Sequence, residues 1–126
     1  SAGDADVLLA FDQNEAIRNL HFLKDGGRGV INVHRREAFQ NDSLKKYLSK
    51  RNIDTFLLNG YEILDEHMGG NYLFLNVLIL GAMGGLNIGG VSFEDIKEAV
   101  STLSPAKFRD NNLKALELGK NAVRVS

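Results

Sequence analysis

The sequence has no cysteine, a single proline and no surplus of either charge. Without cysteine the chain can form no disulfide, thiolate nucleophile, Cys-ligated zinc site or iron–sulfur cluster of its own. Fifteen Lys and Arg stand against sixteen Asp and Glu, for a formal net charge of -1. General phosphate and nucleic-acid binders carry a basic excess, so that class is disfavoured. The most apolar stretch, Tyr72 to Ile88, is interrupted by Asn76 and Asn87, and it falls short of the ~20 apolar residues that a membrane helix needs. The opening, SAGDADVLL, lacks the basic-then-apolar layout of a signal peptide. A cytoplasmic location is the default expectation.

What is present is the material of one domain. The 126 residues are 44% hydrophobic, enough for a real core. Scarce proline and the absence of low-complexity tracts argue against disorder. Asp6 to Phe11 is a short apolar run without alternation, the pattern of a strand buried on both faces of a parallel sheet. Asp12 and Glu15 have the spacing of a capping box. They open a helix running to about Lys24, with Ala16, Ile17, Leu20 and Leu23 on one face. DGGRG (25–29) is expected to end that helix as a left-handed cap. Gly29 to Val33 is the second strand, Ser43 caps a helix over 44–51, and Asp54 to Asn59 is the third strand. From Tyr61 onward the pattern is helical: 61–68, 71–86, 93–103 capped by Ser92, and a last helix capped by Ser104 with Pro105 in its first turn.

This order predicts an α/β fold, a three-layer, Rossmann-like parallel sheet of about three strands with a helical C-terminal half. Three such strands leave two long apolar edges open, which natural proteins cover. Residues 1–126 are therefore expected to be a single domain that belongs to a larger α/β unit, completed by another chain or by further sequence.

The glycine cluster in LILGAMGGLNIGG (78–90) fits no nucleotide loop. Its spacing misses the dinucleotide fingerprint, no Lys-Ser/Thr pair follows, and it sits at a helix C-terminus, where the dipole repels phosphate. Gly81 and Gly85 instead form a small-xxx-small pair. They are expected to press a wholly apolar helix against the sheet and a second protein surface. The three histidines are scattered without a metal-binding spacing. Ser43, Ser92 and Ser104 are caps, and no nucleophile elbow occurs. Neither a catalytic group nor a metal site is predicted.

Ligands of a parallel sheet gather outside the carboxyl ends of its strands. Asp12 and Gln13 follow the first strand, Asn32 and His34 lie at the end of the second, and Asn59 ends the third. These five polar residues are the candidate binding residues. The one local basic excess is Arg35, Arg36, Lys45, Lys46, Lys50 and Arg51 against Glu37 and Asp42. It reads as a solvated helix face, with a phosphate-bearing cofactor or acidic partner as the alternative.

ADVLLAFDQNEAIRNLHFLKDGGRGVINV (5–33) resembles the gamma domain of 2-oxoacid:ferredoxin oxidoreductases, the group that includes the pyruvate and indolepyruvate enzymes. GGNYLFLNVLILGAM, VSFEDIKEAV and KFRDNNLKALELGKNA extend the likeness over nearly the whole chain. The family's opening strand and Gly-rich turn have no counterpart here. The resemblance implies an accessory gamma-type subunit or domain, not catalytic alone, that supports assembly and the coenzyme A side of oxidative decarboxylation. It implies partner subunits, ferredoxin met indirectly, and a homo- or hetero-oligomer. Thiamine diphosphate, iron–sulfur clusters and coenzyme A belong to the whole complex, with none bound by this chain. The matched Asp12, Asn32, Asn71 and Asn112 are implied to be mostly structural, the first two near the interface edge. FLKDGGRGVINV also resembles a stretch of S-adenosylmethionine-dependent methyltransferases, and a non-catalytic α/β interaction module is the third reading.

Overall fold

The structure, a computed structural model, describes residue 3, residues 5–34 and residues 41–124. The chain divides into two compact units, Ser1–Asn59 and Gly60–Ser126.

The first unit holds β1 (Ala5–Ala10), α1 (Gln13–Asn19), β2 (Leu23–Asn32), α2 (Asp42–Lys50) and β3 (Asp54–Leu58). The strands form one parallel sheet in the order β1-β2-β3, with Leu9 opposite Val30 and Val30 opposite Phe56. The strand buried throughout its apolar stretch is the central β2, from Gly29 to Asn32; β1 is only half-buried over Val7 to Leu9. That corrects the expectation for β1, whose apolar run is that of an edge strand in this sheet. Ile31 and Val33 of one sheet face pack with Ala16, Leu20, Leu48 and Ile53 into a continuous core. Ile17, expected on the buried face of α1, is 53% exposed.

DGGRG does not cap a helix. The α-helix stops at Asn19, a 3-10 turn covers Leu20–Phe22, and Leu23 is already extended, with its side chain fully buried. Burying Leu23 in the core starts β2 six residues earlier than its apolar pattern indicates. Between the pairs Ala5–Leu23 and Val7–Arg28 the register shifts, so β2 spends more residues than β1 over the same span. The glycines serve this bulge. Gly26 has φ +81, and a Cβ on Gly27 would lie 2.9 Å from the Lys24 carbonyl oxygen. Arg51 closes the bulge from α2's end. Its guanidinium donates to the carbonyls of Leu20 and Leu23, to Asp25 (2.9 Å) and to the Tyr47 hydroxyl (2.6 Å). Its own carbonyl accepts from Gly26 N (2.9 Å). The hydrogen bonds with Asp25 and then Tyr47 raise the pKa of this already strong base. The cap of α2 is Asn41, accepting from Leu44 N at 3.1 Å, rather than Ser43.

The second unit holds α3 (Gly60–His67), α4 (Leu75–Gly85), α5 (Phe93–Leu103) and α6 (Ala106–Arg124). Ser92 caps α5 as expected, accepting from Asp95 N at 3.1 Å. Ser104 does not cap α6 in the expected way: it ends α5, and its hydroxyl accepts from Asn112 Nδ2 at 2.9 Å. The apolar α4 packs on α6 backbone to backbone. A methyl group on Gly81 would land in the Leu116 carbonyl, and one on Gly119 in the Leu78 carbonyl. A Cβ on Gly84 would lie 3.1 Å from Phe93 Cα, and one on Gly85 3.2 Å from Lys120 Cα. The surfaces these glycines meet are thus α6 and the start of α5. Among the described residues, no helix is long and apolar enough to cross a membrane.

The turn from α3 to α4 is tied by Tyr72, whose hydroxyl donates to Asp65 at 2.9 Å while its ring meets Tyr61 edge-on at 4.9 Å. The hydrogen bond to Asp65 raises the Tyr72 pKa above the ordinary tyrosine value.

Two outcomes follow from this packing. Gly81→Ala and Gly119→Ala each force apart two helix backbones and should lower stability by about 1–3 kcal/mol or more in urea unfolding. A pair of variants as stable as the parent would refute the backbone contact. A phenol whose pKa is raised by folding adds stability below its ordinary range and loses it as pH rises through the folded value. Ultraviolet titration should therefore show Tyr72 ionising above the ordinary tyrosine value, and Asp65→Ala, which removes the acceptor and its charge, should lower that value.

Candidate functional site

The carboxyl edge of the sheet belongs to the first unit and carries the five candidate residues. Asp12 caps α1 in extended conformation, its Oδ1 accepting from Glu15 N at 2.8 Å. Glu15 reaches back, but to the amide of Phe11 (3.1 Å). The result is the predicted reciprocal box, shifted by one residue on its return arm. Gln13 begins α1, and its Oε1 is buried without a hydrogen-bond partner. A buried carbonyl oxygen left so is costly, which makes Gln13 an acceptor in need of a donor.

Asn32 is the fully buried polar residue of the edge, and its Nδ2 donates to the Phe11 carbonyl at 3.1 Å. This bond joins the end of β2 to the turn that leaves β1, beyond the last paired residues of the two strands. Val33 N donates to the Leu58 carbonyl (2.9 Å), extending the β2–β3 pairing by one step. Asn59 Nδ2 then donates to the carbonyl of His34 (3.0 Å), while the His34 side chain is exposed. The structure thus joins Asn59 to His34, and Asn32 to the Asp12 turn. The amides of Asn32 and Asn59 tie the three strand ends together.

Of the basic stretch, Arg35, Arg36 and Glu37 lie outside the described residues. Lys45, Lys46 and Lys50 are exposed on α2, in keeping with a solvated face. Arg51 is not part of such a face; its guanidinium is consumed by the bulge. Sequence reasoning counted it as one charge among six, because the carbonyls it serves lie 28 and 31 residues away. His21 and His67 are exposed, and no group of three or more His, Asp or Glu able to hold a metal occurs among the described residues. With no cysteine in the sequence, the chain supplies no thiolate for an iron–sulfur cluster.

Residues 1–122 match the family described as pyruvate ferredoxin/flavodoxin oxidoreductase. The chain belongs to that family. It is 31% identical to the indolepyruvate oxidoreductase subunit IorB of Thermococcus kodakarensis, over 97% of this chain and 65% of that protein. The IorB of Pyrococcus horikoshii is 30% identical over the same shares. The chain thus spans about two thirds of the length of the curated relatives it matches. The crystal structure of a keto/oxoacid ferredoxin oxidoreductase gamma subunit from Geobacter sulfurreducens PCA superposes with a TM-score of 0.73 at 28% identity, covering 100% of this chain and 68% of that one. The likeness is therefore to gamma-type members of the family, in sequence and in fold. It overturns the S-adenosylmethionine reading, because residues 22–33, which suggested it, fall inside this match.

Replacing Asn32 by Ala removes the bond to the Phe11 carbonyl in a fully buried place. The cost should be about 1–3 kcal/mol in chemical denaturation. Unchanged stability would show that the strand ends do not depend on this amide.

Proposed function

We propose that this chain is the accessory gamma-type part of a 2-oxoacid:ferredoxin oxidoreductase, contributing to assembly and to the coenzyme A side of the reaction rather than to bond making. The observation that carries the proposal is the family match over residues 1–122 together with the gamma-subunit fold. The residues agree with such a division of labour. The sequence holds no cysteine to ligate a cluster; in this proposal thiamine diphosphate and the iron–sulfur centres belong to companion subunits, through which ferredoxin is met. Neither nucleic acid nor a membrane is among the proposed partners, and the working location is the cytoplasm.

Asp12, Gln13, Asn32, His34 and Asn59 are the proposed contact edge. Asn32 and Asn59 act by holding the strand ends, and Gln13 offers the unpartnered acceptor. Coenzyme A carries amide donors along its pantetheine arm and accepts the acyl group when it is bound in the complex. The Gln13 oxygen suits such an amide in chemistry, and the chain's role there is to bind and orient.

Co-expression with the thiamine-dependent companion subunits tests this directly. The chain should co-purify in fixed stoichiometry, and alone it should not couple 2-oxoacid oxidation to viologen reduction. In the complex, Gln13→Leu should raise KM for coenzyme A more than KM for the oxoacid. A chain that stays monomeric beside those subunits would sink the proposal.

A further inference from the structure

Asp25-Gly26 is the one Asp-Gly pair in the sequence, and it lies in the bulge of β2. In such a pair the glycine nitrogen can attack the aspartate side chain, because no Cβ on the glycine hinders the ring that closes. A bond forms between Gly26 N and Asp25 Cγ, and the nitrogen's proton leaves with the carboxyl hydroxyl as water. One water then reopens the cyclic imide. Its attack at Cγ restores aspartate, and its attack at the main-chain carbonyl gives isoaspartate, whose main chain runs through the side-chain carbon. The sequence of steps is a net isomerisation and needs no oxidant, reductant or cofactor.

Crowding does not prevent this reaction. The Asp25 side chain is 79% exposed, and a Cβ built on Gly26 would meet nothing within 4 Å. Space and water are available at the pair, and what restrains it is Arg51. The Arg51 Nε donates to Asp25 Oδ1 at 2.9 Å, and the Arg51 carbonyl accepts from Gly26 N at 2.9 Å. One residue thus binds the group to be attacked with its side chain and the attacking nitrogen with its main chain. Gly26 N cannot give up its proton without breaking the second bond. The carboxylate must leave a charged pair to become the neutral acid that closes the ring. Arg51 is itself anchored, since its guanidinium also donates to the carbonyls of Leu20 and Leu23 and to the Tyr47 hydroxyl.

We infer that Asp25-Gly26 is a latent isoaspartate site that Arg51 holds shut, so that release of the end of α2 opens β2 to this modification. The extra main-chain carbon falls between the pairs Ala5–Leu23 and Val7–Arg28, where the register of the sheet shifts. It moves Gly26 N away from the Arg51 carbonyl, so a chain once converted cannot close the same clamp. This holds whether or not the chain serves as a subunit, because every contact involved is internal to the first unit.

Asp25→Asn makes the restraint measurable. An Asn-Gly pair closes the same ring with ammonia as the leaving group, the amide oxygen remains an acceptor for Nε, and each conversion changes the mass. The full Asp25→Asn chain is incubated at mildly alkaline pH, folded and in urea, beside a peptide of residues 22–30 with the same change. Peptide mapping follows residue 25. Conversion in the folded chain should be about tenfold slower than in urea, where chain and peptide should match. Adding Arg51→Met should remove most of that protection in a chain whose circular dichroism stays native. Hydrogen exchange on the parent chain needs no variant: the Gly26 amide should be protected although Asp25 beside it is exposed. Folded conversion at the peptide's rate, a freely exchanging Gly26 amide, or full protection in a folded Arg51→Met chain each overturns the inference. In the parent sequence, Arg51→Met should accumulate isoaspartate at residue 25, read as a methyl acceptor for an isoaspartyl methyltransferase, and its absence there overturns the inference too.

Discussion

The helical half of this protein depends on one close approach. At Gly81 and Gly119 the backbones of α4 and α6 touch, each glycine taking the carbonyl of the other helix where a side chain would otherwise stand. Contacts at this distance bring many atom pairs to their optimal separation, each weak and together large. Gly84 then lets the start of α5 settle on the same helix, with Phe93 and Ile96 buried beside Leu116. With one side of α4 committed to α6, Val77 and Leu80 are left facing α5 only in part.

The sheet unit solves a different problem, the satisfaction of polar groups where strands end. Asn32 and Asn59 donate to carbonyls that lie beyond the last paired residues, and Arg51 collects the carbonyls released where α1 gives way to β2. Buried backbone groups left alone cost as much as a lost hydrogen bond. These three side chains do for the first unit what the glycines do for the second. Much of the polar edge that topology marks as a ligand site is thus engaged in holding the strands.

Much of this was readable from local pattern. The apolar runs placed three parallel strands and a helical C-terminal half, and Asp12 and Ser92 announced the helices that they cap, because a cap and the amide it serves are three residues apart. Asn41 was missed in favour of Ser43 since both are good caps, and the choice depends on the path by which the chain arrives. DGGRG misled for a similar reason: a left-handed glycine suits a helix end and a strand bulge equally. Asn32 was picked out as a site residue and Arg51 was not, although both are clamps, because only Asn32 sits at a strand end.

Sequence by itself determined the element types, the order of the strands along the chain, the lack of cluster ligands and the family. The tertiary structure alone decided which helix the glycines of α4 would press on, which carbonyls Arg51 would hold, and that β2 rather than β1 would be the buried strand. Periodicity and capping act over a few residues and leave a trace in the order of amino acids. A missing Cβ or a guanidinium acts on whatever backbone the fold brings to it, from Gly81 to Leu116 or from Arg51 to Leu20, and distance in space leaves no such trace.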